Sequence, residues 1–278
     1  MVNLGPVLDH LPAWLMVLVR LTGIFLLAPM FGSSAIPRTV KVMLVVGMSL
    51  CVYPMLIGQR SAAVTGLPGI VEGGLPSIWV LGAMVALELL MGYVIGYAAS
   101  LPLIGMQVGG QVIDQQMGIA AGGVFNPDLD SEAGVIGQFF FLTGLTVFLL
   151  IGGHQVLLLT LVGSFEAVPV GQFATPGSVV DAEAMVALVV GLLTVIFELA
   201  LRVAMPLLCI LFLLRVVMGF VGRTVPQMNI LSVGFIFYIL AGMVVLILGA
   251  GTTLIVFRGT MTQTLQEIMS VFTIGTGR

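Results

Sequence analysis

Charge is what this sequence has least of. Lys, Arg, Asp and Glu together make up 8% of its 278 residues, where a soluble domain carries about 25%. The net charge is −3 and no basic run occurs. Nucleic acid is therefore excluded as the main partner, because phosphate recognition needs clustered Lys and Arg. No Gly-Lys-Ser or Gly-Lys-Thr occurs, so there is no phosphate loop and no ATP site. Cysteine is scarce too. Cys51 and Cys209 each sit in an apolar stretch. They read as buried small hydrophobes rather than a disulfide, and two cannot build a zinc site alone. His10 and His154 are the two histidines. No basic segment precedes the first apolar run, where Asp9 and His10 stand instead, and no small-residue cleavage site follows, so no cleavable signal is expected.

Apolar residues are abundant, at 59% of the chain, with a mean hydropathy of +1.23. A soluble fold of this length cannot hide that surface, so lipid or apolar subunits must cover it. The 36 glycines and 17 methionines suit close helix approach and adaptable packing. A bilayer core needs about 20 helical residues. Six apolar stretches meet that need, over about 11–30, 39–57, 78–104, 135–162, 185–218 and 230–257. The fold class expected is all-α: a polytopic membrane protein of about six long, partly broken helical segments. The fifth stretch would be roughly 50 Å as one helix, and Pro206 is expected to divide it. The fourth is interrupted by Gly152, Gly153, His154 and Gln155, so it reads as a hairpin as much as a span. Arg38, Lys41 and Arg223 fall on one side of the alternating segments, Arg60, Arg258 and Arg278 on the other. The positive-inside count ties and assigns no topology. Met261, Leu265, Met269 and Phe272 share one face of an amphipathic C-terminal helix, suited to an interface or a partner.

Ionisable groups inside apolar stretches mark function by default, since each is expensive in hydrocarbon. Here they are Arg20, Glu88, Glu198, Arg202 and Arg215. Glu198 and Arg202, at i and i+4, share a helix face. They read as a mutually neutralised pair, with subunit contact and proton relay as alternatives. Arg20 and Glu88 read as an interhelical tie. Gly92 and Gly96 form a GxxxG that lets a helix backbone approach closely. Residues 105–127 read GMQVGGQVIDQQMGIAAGGVFNP, Gly- and Gln-rich with no Lys or Arg. They are expected to be a connection, buried and re-entrant. Asp128, Asp130 and Glu132 imitate a calcium loop, but Ala133 stands where the loop needs Gly and Phe139 where it needs Glu. Capping of the next helix by Asp130 or Ser131 fits better. His154 has no acidic neighbour and no serine partner, so it reads as a polar residue at a helix break rather than a base. No catalytic group, cofactor site or metal site is expected.

Four motifs in order resemble one family. Arg20-Leu-Thr-Gly23 is followed by Pro29, Phe31 and Ile36-Pro37. Gly110-Gln-Val-Ile-Asp114 is followed by Gln116-Met-Gly118 and by Asn126-Pro127. Gly153-His154 is followed by Ser164-Phe165 and Pro169. Pro206 is followed by Arg223 and Pro226-Gln227-Met228-Asn229. Together they resemble the FliR/SctT family, the R-type subunit of the flagellar and type III secretion export gate. Asn126 stands where Asp is commoner in that family, and Gly-His leans flagellar over injectisome. The resemblance implies a P-type fold over about 1–180 joined to a Q-type helical hairpin over 181–278. It implies a single copy in a bacterial inner-membrane gate at the flagellar basal body. Its implied partners are several FliP and FliQ subunits, an FlhB-type switch subunit and unfolded flagellar cargo. It further implies that a loop over about 106–125 plugs the closed pore. Met106, Gln107, Gly109, Gly110, Gln111, Gln115, Gln116, Met117, Gly118, Ile119 and Phe125 are the plug residues so carried over. Glycines would let that loop rearrange, glutamines would offer uncharged hydrogen bonds, and Met117, Ile119, Val124 and Phe125 would seal against ions. A small-solute secondary transporter is the rival reading. It would show two inverted halves, and the hydropathy has none. An enzyme of the membrane interior would need a convergent polar cluster, and a pure assembly scaffold would make the loop irrelevant to gating.

Overall fold

A computed structural model describes residues 5–32, 36–58, 78–119, 134–170, 182–224 and 230–273. Helices account for nearly all of these residues: α1 Gly5–Leu27, α2 Arg38–Gly58, α3 Ile78–Met117, α4 Val135–Leu150, α5 Gly153–Ala167, α6 Ala182–Thr224 and α7 Ile230–Thr273. Five are long and apolar enough to cross a membrane, and α4 with α5 make a sixth if taken as one bent span. In hydrocarbon the backbone must satisfy itself, and the helix is the local way to do so. Sequence breakers end the helices. Pro29 follows α1, and Met30 takes a left-handed φ of 73°. Phe31 then folds back on Phe25, ring centroids 4.5 Å apart. Pro37 precedes α2, and its carbonyl accepts from the Val40 and Lys41 amides. Between α4 and α5 the chain turns at Gly152, φ 72°, where the sequence led us to expect the interruption.

Two compact units are built from interleaved segments. The first comprises Met1–Ser100, Gly152–Val190 and Gln263–Arg278. Val17, Leu21, Ile24, Leu56, Met91, Ile95 and Phe165 are buried there. Its α1 and α3 cross with their backbones in contact. A Cβ on Gly92 would lie 2.0 Å from the Arg20 carbonyl oxygen, one on Gly96 2.6 Å from that of Ile24, and one on Gly23 2.4 Å from that of Leu89. Lipid-facing helices gain no hydrophobic energy by associating, so close backbone contact of this kind supplies the packing. The second unit comprises Leu101–Ile151 and Gly191–Thr262. Leu103, Met106, Ile113, Phe140, Phe148, Leu207 and Leu211 are buried there. The α3 glycines Gly105 and Gly109 lie against α6, where a Cβ would sit 3.1 Å from the Ile196 and Ala200 carbonyl oxygens respectively.

Much apolar surface remains outside both units. Most of α7 is unburied, and Leu248 and Ile255 are 78% and 74% exposed. Along α6, Phe197, Phe212 and Phe220 also face outward.

The structure corrects several expectations. The third stretch does not end at 104: α3 continues to Met117, so residues 106–117 are helix and not loop. The reason lies in their spacing. Met106, Gly109, Gly110, Ile113, Asp114 and Met117 are all buried, at intervals of three and four that only a helix places on one face. Pro206 does not divide α6, which is helical from Ala182 to Thr224, roughly 65 Å. One missing hydrogen bond does not end a helix whose surroundings favour every other one. Arg258 lies within α7, which carries on through the amphipathic tail. The buried face of that tail is Phe257, Met261, Thr264, Leu265 and Ile268, with Met269 38% exposed. The side chain of Phe272 lies outside the described residues. Cys51 and Cys209 are free, and exposed rather than buried, because the apolar helix faces that hold them point outward. Asp130 and Ser131, expected to cap α4, lie outside the described residues, and another carboxylate does that work.

Candidate functional site

Polar groups are so rare that each buried one can be followed to its partners. Arg20 and Glu88, both 0% exposed, meet within the first unit. The Arg20 Nε donates to Glu88 Oε2 at 2.6 Å. Arg20 Nη1 donates to the Ser164 carbonyl at 3.0 Å and to Ser164 Oγ at 3.3 Å. Arg20 Nη2 donates to the Val168 carbonyl at 3.1 Å. The Phe165 ring lies 4.3 Å beneath the guanidinium. One arginine thus ties α1 to α3 and also closes the C-terminal end of α5, where it joins the Val168 amide on the Ser164 carbonyl and a cation suits the dipole. The planar fork of donors is what lets a single side chain do this. The expected interhelical tie is present, and it accounts for the opening Arg-x-x-Gly. Arg20 binds, and Gly23 leaves room for α3 to come near enough.

The second unit holds the complementary arrangement. Asp114, 1% exposed, reaches from α3 to the start of α4. Its Oδ2 accepts from the Ile136 amide at 3.1 Å and from the Gly137 amide at 3.0 Å. Helix α4 has Gly134 at its N-cap with no side-chain bond of its own, so Asp114 takes orphan amides that a local Asp or Ser would otherwise take. The approach requires glycine. A Cβ on Gly134 would overlap the Asp114 carboxylate, and one on Gly110 would come 2.6 Å from the Gly137 Cα. The carbonyl of Asp114 also accepts from the Ile119 amide at 3.1 Å. The chain therefore leaves α3 and enters α4 at the same residue.

The end of α3 is held a second way. Arg215 Nη2 donates to the Gln116 carbonyl at 3.0 Å, and its guanidinium stands 5.7 Å from the Tyr238 ring. Met117 is fully buried against Gly242, and Phe235 covers Gly118, which takes a φ of 80°. Gln107 and Gln111 are half-buried, and Gln115, on the same face, is exposed. Among the candidate plug residues, then, those from Met106 to Met117 are a packed helix, Gly118 and Ile119 form its turn, and Phe125 lies outside the described residues. Asn126, Pro127, Pro226, Gln227 and Asn229 lie outside them as well.

Glu198 and Arg202 form the expected i,i+4 ion pair, 54% and 60% exposed. Among the described residues it joins nothing but its own helix. His154 stands in the first turn of α5, and its Nδ1 is buried with no hydrogen-bond partner among the described residues. Pro29, Pro37 and Gly153 sit at helix ends, and Arg223 is exposed in the last turn of α6. Among the described residues no group of three His, Cys, Asp or Glu could hold a metal.

Sequence reasoning gave Asp114, Gly134, Gly137, Ser164 and Phe165 no role of their own. The signal for Asp114 was available: with Glu88 it is one of two carboxylates in a 40-residue apolar helix, and it lies on the face of Gly110.

The chain matches the family model for bacterial export proteins, family 1, over residues 11–264. It is similar to the flagellar biosynthetic protein FliR of Bacillus subtilis, 24% identical over 98% of both chains. It is similar to that of Aquifex aeolicus, 26% identical over 91% of this chain and 89% of the other. It also resembles the Yop proteins translocation protein T of Yersinia pestis, 27% identical over 67% and 66%.

Proposed function

Because this chain belongs to the bacterial export proteins of family 1, the FliR/SctT family, we propose that it serves as the R-type subunit of a flagellar type III export gate. That it is a membrane component of such an export apparatus follows from the family and from its apolar helices. The finer reading is a gate in the bacterial inner membrane, at the flagellar basal body, through which unfolded flagellar subunits pass. FliP- and FliQ-type subunits would cover its outward faces, with an FlhB-type switch subunit beside them. The observation that carries this reading is the bare apolar surface of α6 and α7, set beside a family match that spans nearly the whole chain. Surface of that extent needs protein or lipid against it. Within the reading, residues 1–180 take the P-type role and 181–278 the Q-type role. The chain catalyses nothing, and energy for export enters through other components. The near-complete overlap with the Bacillus subtilis flagellar protein favours the flagellar over the injectisome version.

The plug in this reading is shorter than the resemblance implied. Residues 106–117 act as its stem, and residues 118–125 are the part that closes the pore. The stem is fixed by Arg215 at Gln116 and by Asp114 at the start of α4. A fixed stem with a glycine-rich tip suits a closure that moves without disturbing the gate around it. Deleting residues 120–125 tests it and leaves both anchors in place. The reading expects an assembled complex with raised ion leak across the membrane. Unchanged leak with normal export would remove the plug from the account.

A further inference from the structure

We propose that Arg215 on α6 is the seat of a carboxylate that a sister subunit inserts into this chain's bare apolar face. The inference rests on the reading that sister subunits cover α6 and α7, and it adds what one of them must carry. Arg215 lies within the apolar run 193–224, and its side chain is exposed. Other charges in the apolar stretches bring their own counter-ions: Arg20 has Glu88, and Arg202 has Glu198. Among the described residues no carboxylate lies within ion-pair distance of Arg215. Its Nη2 donates to the Gln116 carbonyl at 3.0 Å, and the Tyr238 ring stands 5.7 Å from the guanidinium. Neither contact brings a negative charge, and the fork has further donors to give.

The surroundings set the chemistry of the occupant. Phe212, one turn before Arg215, is exposed, and so are Val216 and Phe220. Gly219, one turn after it, has nothing within 4 Å of the place a Cβ would take. The result is a cation in an apolar face with an open notch beside it. A bare apolar face needs a cover, and covering this one strips water from the guanidinium. A desolvated charge is costly unless it is paired. A wholly apolar neighbour would strand Arg215, and a basic one would repel it. A carboxylate neutralises it, and two carboxylate oxygens match the planar fork. The occupant is therefore a helix that is apolar except for an Asp or Glu level with Arg215. That one charge also fixes the register of the neighbour on α6. Because the same guanidinium holds Gln116 at the end of α3, the neighbour that seats on it completes the anchor of that helix.

The test uses the full chain with Arg215→Lys, assembled with its co-expressed export partners and treated with a membrane-permeant carbodiimide. The reagent joins an ammonium to a touching carboxylate as an amide and takes up the water lost. The expected product links position 215 to one Asp or Glu of one sister subunit, located by peptide mass spectrometry. Arg215→Gln should give no link. It should still assemble, since the apolar area carries most of the binding and the amide still donates to the carboxylate. Arg215→Glu sets like charges together and should cut the yield of complex at least about tenfold. Changing the linked carboxylate to Arg should restore that yield. The isolated Arg215→Glu chain should stay folded, because the altered side chain is exposed. An assembled Arg215→Lys complex that contains sister subunits but gives no link to them would overturn the proposal and leave the export-gate reading standing. So would an undiminished yield with Arg215→Glu, the outcome if lipid or detergent covers this face. A chain that assembles with no sister subunit at all would overturn both.

Discussion

Replacing Arg20 with methionine keeps an unbranched side chain of similar reach and deletes every donor it carries. The Glu88 carboxylate and the carbonyls of Ser164 and Val168 each lose the donor that Arg20 gave them. Removing one partner of a buried ion pair destabilises by about 3–5 kcal/mol, mostly because the other charge stays buried. Glu88→Gln is milder. The amide oxygen still accepts from Arg20 Nε, and the guanidinium keeps two carbonyls and the Phe165 ring, so a loss of about 1.5–3 kcal/mol is expected. In the double variant no charge is stranded, and what remains is chiefly the Val168 carbonyl, about 1–3 kcal/mol, because the Ser164 carbonyl keeps the Val168 amide. The double variant should therefore be more stable than Arg20→Met alone. Thermal unfolding of the purified chain in detergent reads this, at about 2–4 °C per kcal/mol for a chain of this size. Arg20→Met should lower the midpoint by roughly 6–20 °C, and Glu88→Gln added to it should raise the midpoint again. A drop below about 2 °C for Arg20→Met, or a double variant as unstable as the sum of the singles, would refute the reasoning.

Gly92→Ala places a methyl group inside the van der Waals radius of the Arg20 carbonyl. It should separate α1 from α3 at a cost above about 2 kcal/mol. Gly82→Ala, on the same helix with nothing within 4 Å, should leave stability unchanged or gain up to about 1 kcal/mol from helix propensity. The two thermal midpoints therefore move in opposite directions, or only the first moves. Asp114→Asn keeps one acceptor for the α4 amides and loses the charge, so about 1 kcal/mol is expected. Asp114→Ala leaves the amides bare and should lose about 2 kcal/mol, seen as faster amide hydrogen exchange at Ile136 and Gly137. Arg215→Gln removes the anchor at Gln116 without touching the core. It should raise ion leak through the assembled gate while leaving the yield of complex unchanged.

The helices were legible because hydropathy alone specifies them. Six apolar stretches became five spans and a bent pair, and the break at Gly152 fell where consecutive glycines interrupted the run. The helix through 105–117 was not legible from composition. Its Gly and Gln content is that of a connector, and the decisive signal was instead the three-and-four spacing of Met106, Gly109, Gly110, Ile113 and Met117. In a water-soluble helix a polar stripe sets off such a face. Here the opposite face carries glutamines and valine, so the contrast is weak. The Arg20–Glu88 tie was readable as a pairing because so few charges were available. That Ser164, Phe165 and Val168 complete it was not, because nothing local in a sequence links residues 144 positions apart. The capping of α4 failed for the same reason. Asp130 and Ser131 were near at hand, whereas Asp114 arrives through the packing of Gly110 on Gly137.

The central claim is that this chain is one subunit of an export gate whose sisters cover the bare faces of α6 and α7. Native mass spectrometry of the tagged chain, co-expressed with its genomic neighbours and extracted in mild detergent, tests it most directly. The account predicts a large complex with one copy of this chain and several copies of two smaller hydrophobic proteins. A lone monomer or homodimer, with those neighbours well expressed, would contradict it.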